Sequence, residues 1–361
     1  MESGYLENER PGSNVRTWVE ISLERIATNL EAIRRRIGKG TDVIAVVKAN
    51  AYGHGASVVA RFLRDQGVTS FATATLEEAI EVRCVVPDAQ ILVFSGCDSG
   101  QEPRFRGHNL TAAVFERGRV PDVKIEVEVD SGMGRLGVPH AQAGSFLAQL
   151  RNRLAGVYSH FASADADVEF SRFQLKNFLS ATSGVGCRRH IANSAGLRFP
   201  DAHLDAVRPG LALYGIAPCP AVSDVRPVLS WKTRILSLRH MSAGESVGYN
   251  RTYIASSPRV IAVLPVGYAD GYNRAFSNKA QVRIRGRLVP VVGQISMDLT
   301  TVDVTEVPGV SQGDEVTLLE ADPESPISAA ALAQSLGTIP YEVLTSIGNR
   351  ARRFYYKPAF K

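Results

Sequence analysis

Lys48 directly follows a five-residue apolar run, Val43–Val47. A lysine in that position is partly desolvated, which disfavours the ammonium and exposes a nucleophilic amine. Such an amine can form a Schiff base with a carbonyl cofactor. Position alone gives this little weight, because most lysines at strand ends simply extend their charge to solvent. Four further apolar runs also end in polar residues. Ile125–Val129 runs into Asp130, the turn SGMG and Arg135. Leu154–Tyr158 ends at His160, Arg189–Ala192 at Asn193 and Ser194, and Leu204–Val207 at Arg208, followed by Pro209 and Gly210. If these runs are parallel strands, they deliver an amine, two guanidiniums, an imidazole, an amide and a hydroxyl to one rim.

The elements that would position them follow from the pattern around each run. After a short strand at Thr17–Leu23, Ile26, Leu30, Ile33 and Ile37 recur at helical spacing over Leu23–Ile37. Apolar runs then occur at Val43–Val47, Ser70–Thr73, Ile91–Phe94, Leu110–Phe115, Ile125–Val129, Leu154–Tyr158, Arg189–Ala192 and Leu204–Val207. Helical stretches separate several of them, at Ala56–Asp65, Leu76–Val85, His140–Arg151 and Phe170–Ser183. Near-continuous apolar strands alternating with helices predict a parallel sheet. Eight of them predict a closed (β/α)8 barrel, whose chemistry sits at the C-terminal ends of the strands. A doubly wound open sheet is the competing fold. The segments Phe94–Leu110 and Phe115–Ile125 are short for parallel crossovers, which normally take about a dozen residues or more. Two outer helices are therefore expected to shrink to single turns or loops.

Beyond Pro227 the texture changes to short strands with partial two-residue alternation, broken by Gly, Pro and Asn, with no helical run until Ile327–Leu336. This predicts a second, mainly antiparallel β domain. The expected division is a polar N-terminal tail over 1–16, a barrel over 17–227 whose first strand can pair with the second domain, and a β-rich domain over 228–361. Of 361 residues, 45% are hydrophobic and 21% charged, which excludes wholesale disorder. The charge of +5 raises the question of nucleic acid. The basic clusters Arg34–Arg36 and Arg350–Arg353 are short and acids are interspersed elsewhere, so no nucleic-acid partner is expected. Cys84, Cys97, Cys187 and Cys219 form no CxxC pair, so no metal site or disulfide framework is expected. No apolar run is long enough for a membrane span, and MESGYLENERPGSNVR lacks the charge and apolar core of a signal peptide. A cytoplasmic location is expected.

The run around Lys48, AVVKANAYGHG, closely resembles the pyridoxal-phosphate attachment motif of the alanine racemase family. Eight more resemblances follow in order: DSGMGRLG, HFASAD, IANSAG, VRPGLALYG, VGYNRTY, LPVGYADGYNR, VGQISMD and IPYEVLTSIGNR, together covering roughly residues 17 to 356. The resemblance implies a barrel followed by a β domain, pyridoxal phosphate as cofactor, and an isomerase acting on alanine. It implies that Lys48 holds the cofactor and serves as one base, with Tyr249 as the second. Since the family tyrosine comes from the other subunit, a homodimer with shared sites is implied. A free phenol titrates near 10, so that role calls for nearby cations such as Arg135 and Arg208.

The same resemblance sets Arg208 against the cofactor ring nitrogen, with His160 beside it. Tyr52, Asn193, Ser194, Gly210, Leu211 and Tyr341 fall among the cofactor contacts. Arg135, Met297 and Asp298 fall on the substrate carboxylate side, and Tyr268 narrows the entrance with Tyr341. Many relatives orient the equivalent of Arg135 with a carbamylated lysine seven residues before it; here that position is Glu128, which offers a carboxylate directly. The product implied is D-alanine for cell-wall peptidoglycan. The alternatives are a serine or broad-specificity racemase, a decarboxylase, and a non-catalytic pyridoxal-phosphate carrier. The carrier would need neither the second domain nor Tyr249.

Overall fold

Strand β1 (Thr17–Ser22) and the helix Leu23–Ile37 lead into the first compact unit, residues Ile26–Val225. The structure, a computed structural model, describes residues 11–12, 14–150 and 152–356. Most of the expected tail, 1–16, therefore lies outside the described residues. On the first helix Ile26, Leu30, Ile33 and Ile37 are buried, as the period of 3.6 requires, and Arg34, Arg35 and Arg36 fall in the last turn, where cations suit the helix dipole.

Eight parallel strands build the unit: β2 (Asp42–Val46), β3 (Ser70–Thr73), β4 (Gln90–Val93), β5 (Thr111–Val114), β6 (Lys124–Asp130), and, after a two-residue strand β7 (Val138–Pro139), β8 (Leu154–Tyr158), β9 (Arg188–His190) and β10 (Ala206–Val207). Each pairs with the next in this series, β6 with β8, and β10 returns to β2 through Ala206↔Asp42, which closes the barrel. Every residue of β3 and β5 is buried, which explains why these strands carry only apolar residues and small hydroxyl side chains. Helices Ala56–Asp65, Leu76–Val85, His140–Gln149 and Val168–Ala181 lie between strands. The two short crossovers differ from each other. The β4–β5 link keeps a six-residue helix, Glu102–Gly107, started by Pro103, whereas the β5–β6 link has only bends.

The second unit comprises the described residues up to Arg25 and those from Arg226 onward. Its strands are β11 (Leu229–Arg234), β12 (Ser237–Met241), β13 (Ser246–Val247), β14 (Tyr253–Ile254), β15 (Arg259–Leu264), β16 (Gln281–Ile284), β17 (Arg287–Pro290), β18 (Thr300–Asp303), β19 (Glu315–Leu319) and β20 (Arg352–Tyr356). One six-stranded sheet runs β17-β16-β19-β11-β1-β20, another β12-β15-β18, and β13 pairs with β14. All these pairs are antiparallel except β1–β20. β1 thus joins the β-rich unit, between strands from positions 229–234 and 352–356. Helices Ala329–Leu336 and Pro340–Thr345 complete it.

Candidate active site

Lys48 begins a turn of unusual hand. Ala49, Asn50, Ala51 and Tyr52 all have φ between 51° and 54°, one turn of left-handed helix. Each non-glycine residue there costs roughly 1–2 kcal/mol, so other contacts must hold the turn. Glu78 accepts from Ala49 N at 2.7 Å, and the Asn50 side chain accepts from Ala56 N at 2.8 Å, capping the following helix. The Lys48 amine lies 5.9 Å from the Phe94 ring centre. Burial lowers its pKa, and the charge of Arg135 lowers it further against the opposing pull of Glu78. The result is an amine biased toward its nucleophilic form.

The left-handed turn also sets Tyr52 against the loop after β10. A Cβ on Gly210 would lie 2.4 Å from the Tyr52 hydroxyl, so only glycine fits there. The Ser194 hydroxyl accepts from Gly210 N at 3.0 Å and from Ala212 N at 3.1 Å. Leu211, between them, is buried. Clustered backbone amides with a hydroxyl and a phenol form a cup suited to a phosphate. Asn193 is turned to local work: its carbonyl accepts from Gly196 N at 2.9 Å, and its amide faces His160 Nε2 at 3.3 Å.

Arg208 is buried, and its guanidinium is surrounded by acceptors: His190 Nδ1 at 2.6 Å, His190 O at 3.1 Å, Ile191 O at 3.3 Å and Ser159 O. His160 Nδ1 is 3.3 Å away. The guanidinium carbon stands 5.1 Å from the centre of the Tyr158 ring. His160 is half-buried between two donors, and its pKa falls to about 3 through burial and the charges of Arg208, Arg135 and Lys48. It is a neutral imidazole at physiological pH.

Below this rim, β6 places Glu126 and Glu128 two residues apart, both buried. Glu126 bonds His190 Nε2 at 2.8 Å. Gly156 on β8 makes room for it, since a Cβ there would come within 3.0 Å of the carboxylate. Glu128 accepts from the Tyr158 hydroxyl at 3.0 Å and influences Arg135 and Arg208 through space. Arg135 itself is exposed, on a loop that Asp130 closes by accepting from the amides of Gly132, Met133 and Gly134 at 2.8–3.1 Å. Glu78, Glu126, Tyr158 and His190 were not among the sequence candidates. The one available signal was KIEVEVD, where two glutamates interrupt an otherwise buried strand.

The remaining candidates lie in the β-rich unit. Tyr268 N donates to Ser296 O at 3.1 Å and Ala269 N to Met297 O at 3.0 Å, which brings Tyr268, Met297 and Asp298 together. Asp298 pairs with Arg350 at 2.9 Å, and Arg350 also reaches Asp270 at 3.2 Å. Tyr341 sits on the helix Pro340–Thr345, and Tyr249 follows the positive-φ Gly248. Tyr249 is 66% exposed and Met297 54%; Tyr268 and Tyr341 are exposed as well. Among the described residues, no cluster of His, Cys, Asp and Glu could hold a metal ion.

Known proteins give a consistent picture. Residues 21–218 match the family described as alanine racemase, N-terminal domain, and residues 228–355 match alanine racemase, C-terminal domain. The alanine racemase of Geobacter sulfurreducens is 39% identical, covering 96% of this chain and 98% of its own length. That of Symbiobacterium thermophilum is also 39% identical, with 94% and 97% covered. Among solved structures, the alanine racemase of Streptomyces lavendulae superimposes with a TM-score of 0.86 at 32% identity, covering 97% of this chain and 99% of its own. The alanine racemase of Bartonella henselae with covalently bound pyridoxal phosphate gives 0.84 at 30% identity, covering 96% and 100%. By its two matched domains and its full-length relatives, the chain belongs to the alanine racemase family.

Proposed function

We propose that this chain is a pyridoxal-phosphate-dependent isomerase that interconverts L-alanine and D-alanine as a homodimer in the cytoplasm, supplying D-alanine for peptidoglycan. One observation carries the reading: the desolvated Lys48 amine belongs to the same barrel rim as an amide-lined cup at Ser194, Gly210 and Tyr52 and a buried Arg208. The residues fit the cofactor part by part, because the cup suits its phosphate and the amine its carbonyl. The covalent pyridoxal phosphate named for the Bartonella henselae structure supports the assignment.

When bound, pyridoxal phosphate supplies an electron-accepting ring that spreads the charge left by loss of the substrate α-proton. Lys48 Nζ would hold the cofactor and, once the substrate amine has taken its place there, be free to take or return that proton on one face. Tyr249 Oη, from the partner subunit, serves the opposite face. Arg208, which only donates hydrogen bonds, would face the ring nitrogen and favour its unprotonated form, restraining side reactions. Tyr52, Ser194, Gly210, Leu211 and Tyr341 hold the phosphate, with Asn193 shaping the turn beneath. His160 buttresses Arg208. Arg135 receives the substrate carboxylate, with Met297 and Asp298 of the partner on the same side, and Glu128 biases Arg135 through its field. Tyr268 and Tyr341 leave room for a methyl side chain, a preference of about 1–3 kcal/mol per excluded methylene. The exposed Tyr249, Tyr268, Met297, Leu299 and Ile339 support a surface that a second copy covers.

Borohydride treatment of the pyridoxal-phosphate-loaded protein should label Lys48, and L-alanine in deuterated water should yield D-alanine with deuterium at the α-carbon. Labelling elsewhere, or no α-exchange, overturns the reading. Faster turnover of serine than alanine would move it to a broader racemase.

A further inference from the structure

Arg208 is held from behind by a line of buried groups that the reaction itself does not require. Arginine only donates hydrogen bonds. The 2.6 Å contact between Arg208 Nη1 and His190 Nδ1 therefore makes Nδ1 an acceptor without a proton. The proton of a neutral His190 must then sit on Nε2, where the Glu126 carboxylate accepts it at 2.8 Å. Everything around the ring enforces this arrangement. Tyr158 stacks on His190 with the planes 4° apart and the centroids at 5.3 Å, so the ring cannot turn over freely. Gly156 leaves the space that the Glu126 carboxylate fills. His190 is fully buried and Glu126 nearly so, which makes exchange of either partner for water costly.

We propose that Glu126 and His190 are positioning residues for Arg208. Glu126 locks His190 in its Nε2–H tautomer, the Nδ1 lone pair clamps one arm of the guanidinium, and the clamp fixes the edge that Arg208 presents to the cofactor ring. The last step rests on the proposed place of Arg208 at the ring nitrogen; the tautomer lock does not. An imidazolium at His190 would put an N–H against the guanidinium and break the clamp. Burial holds that form off, with the pull of Glu126 opposing and Arg208 assisting, and the histidine gains a proton only near pH 4.

Two measurements separate the parts. Nitrogen NMR of the full-length protein labelled in its histidines, with His190→Gln identifying the resonance, reads the tautomer at pH 7.5. The expected result is a protonated Nε2 and a bare Nδ1; a protonated Nδ1 or an imidazolium overturns the proposal. In Glu126→Gln the clamp loses its charge. The expected result is an altered absorption maximum of bound pyridoxal phosphate and a cofactor dissociation rate raised about tenfold, the scale on which such supporting contacts act. If Glu126→Gln lowers the melting temperature but leaves both unchanged, Glu126 is only a structural residue and the proposal falls. Arg208→Lys serves as the control. Should it also leave the absorption unmoved, the place of Arg208 at the ring fails, while the NMR result still decides the lock.

Discussion

Glu126 and Glu128 share one strand and one buried face, yet their carboxyls are driven in opposite directions. Burial pushes both up. At Glu126 the partners His190, Arg188 and Arg208 overcome it and hold the group below the ordinary carboxylate range. At Glu128 burial prevails over Tyr158, Arg208 and Arg135, and the group ends above that range. The barrel therefore keeps one firm anion beside one that resists ionising.

The sign for stability follows at Glu128. A raised acid favours the folded state where it stays protonated, and this contribution is lost as pH rises through its folded pKa. Glu128→Gln, neutral at every pH, should melt progressively higher relative to the parent as pH goes from 4.5 to 8. Calorimetry at both ends checks this, and a difference independent of pH would contradict it. If Glu128 also biases Arg135, the KM for alanine should rise several-fold with little change in kcat.

His190 carries the opposite dependence. Its folded pKa of about 4 lies below the unfolded value of about 6.5, so the unfolded chain takes up a proton first as pH falls. Stability is lost between those two values. His190→Gln should flatten the fall in melting temperature over that window while lowering stability near neutrality.

Sharing of sites across a dimer has a mixing test. Lys48→Ala and Tyr249→Phe should each lose at least about 100-fold in kcat, the usual scale for a missing acid or base. Unfolded and refolded together in equal amounts, half of the dimers are hybrids, and each hybrid has one intact site. Activity should recover to about a quarter of the parent value if Lys48 and Tyr249 meet across a two-fold dimer. No recovery, with hybrids demonstrated, would place both residues of a site in one chain.

Gly210→Ala should weaken pyridoxal phosphate binding sharply, because the new methyl would overlap the Tyr52 hydroxyl. Tyr52→Phe would keep the ring carbon Cζ 2.8 Å from the new methyl, so Tyr52→Ala, which removes the ring, should relieve the overlap and recover melting temperature without restoring affinity. Equilibrium titration with the cofactor and a melting curve for each variant distinguish the two effects.

The sequence exposed the barrel because eight apolar runs are buried on both faces, and it exposed the rim because Lys48, Asn193 and Arg208 sit where those runs stop. It did not expose what stands behind the rim. His190 is the last residue of a three-residue strand, and Glu126 pairs with it 64 positions away. No local period records such a partnership. The left-handed turn at 49–52 was equally hidden, since two alanines and a tyrosine ordinarily avoid that conformation and only Asn50 tolerates it by type. For strand β1 the sequence suggests pairing with the second domain, but not which strands, more than 200 positions downstream, flank it.

That pairing bears on how the chain is made. A ribosome releases β1 ahead of the barrel, but its antiparallel neighbour β11 emerges only after the barrel and its parallel neighbour β20 later still. During synthesis the barrel residues can assemble while β1 waits with both hydrogen-bonding edges bare, a state open to mispairing with other nascent chains. A truncation that removes β20 would leave one of those edges uncovered for the life of the protein, so this strand guards against aggregation far from any chemistry.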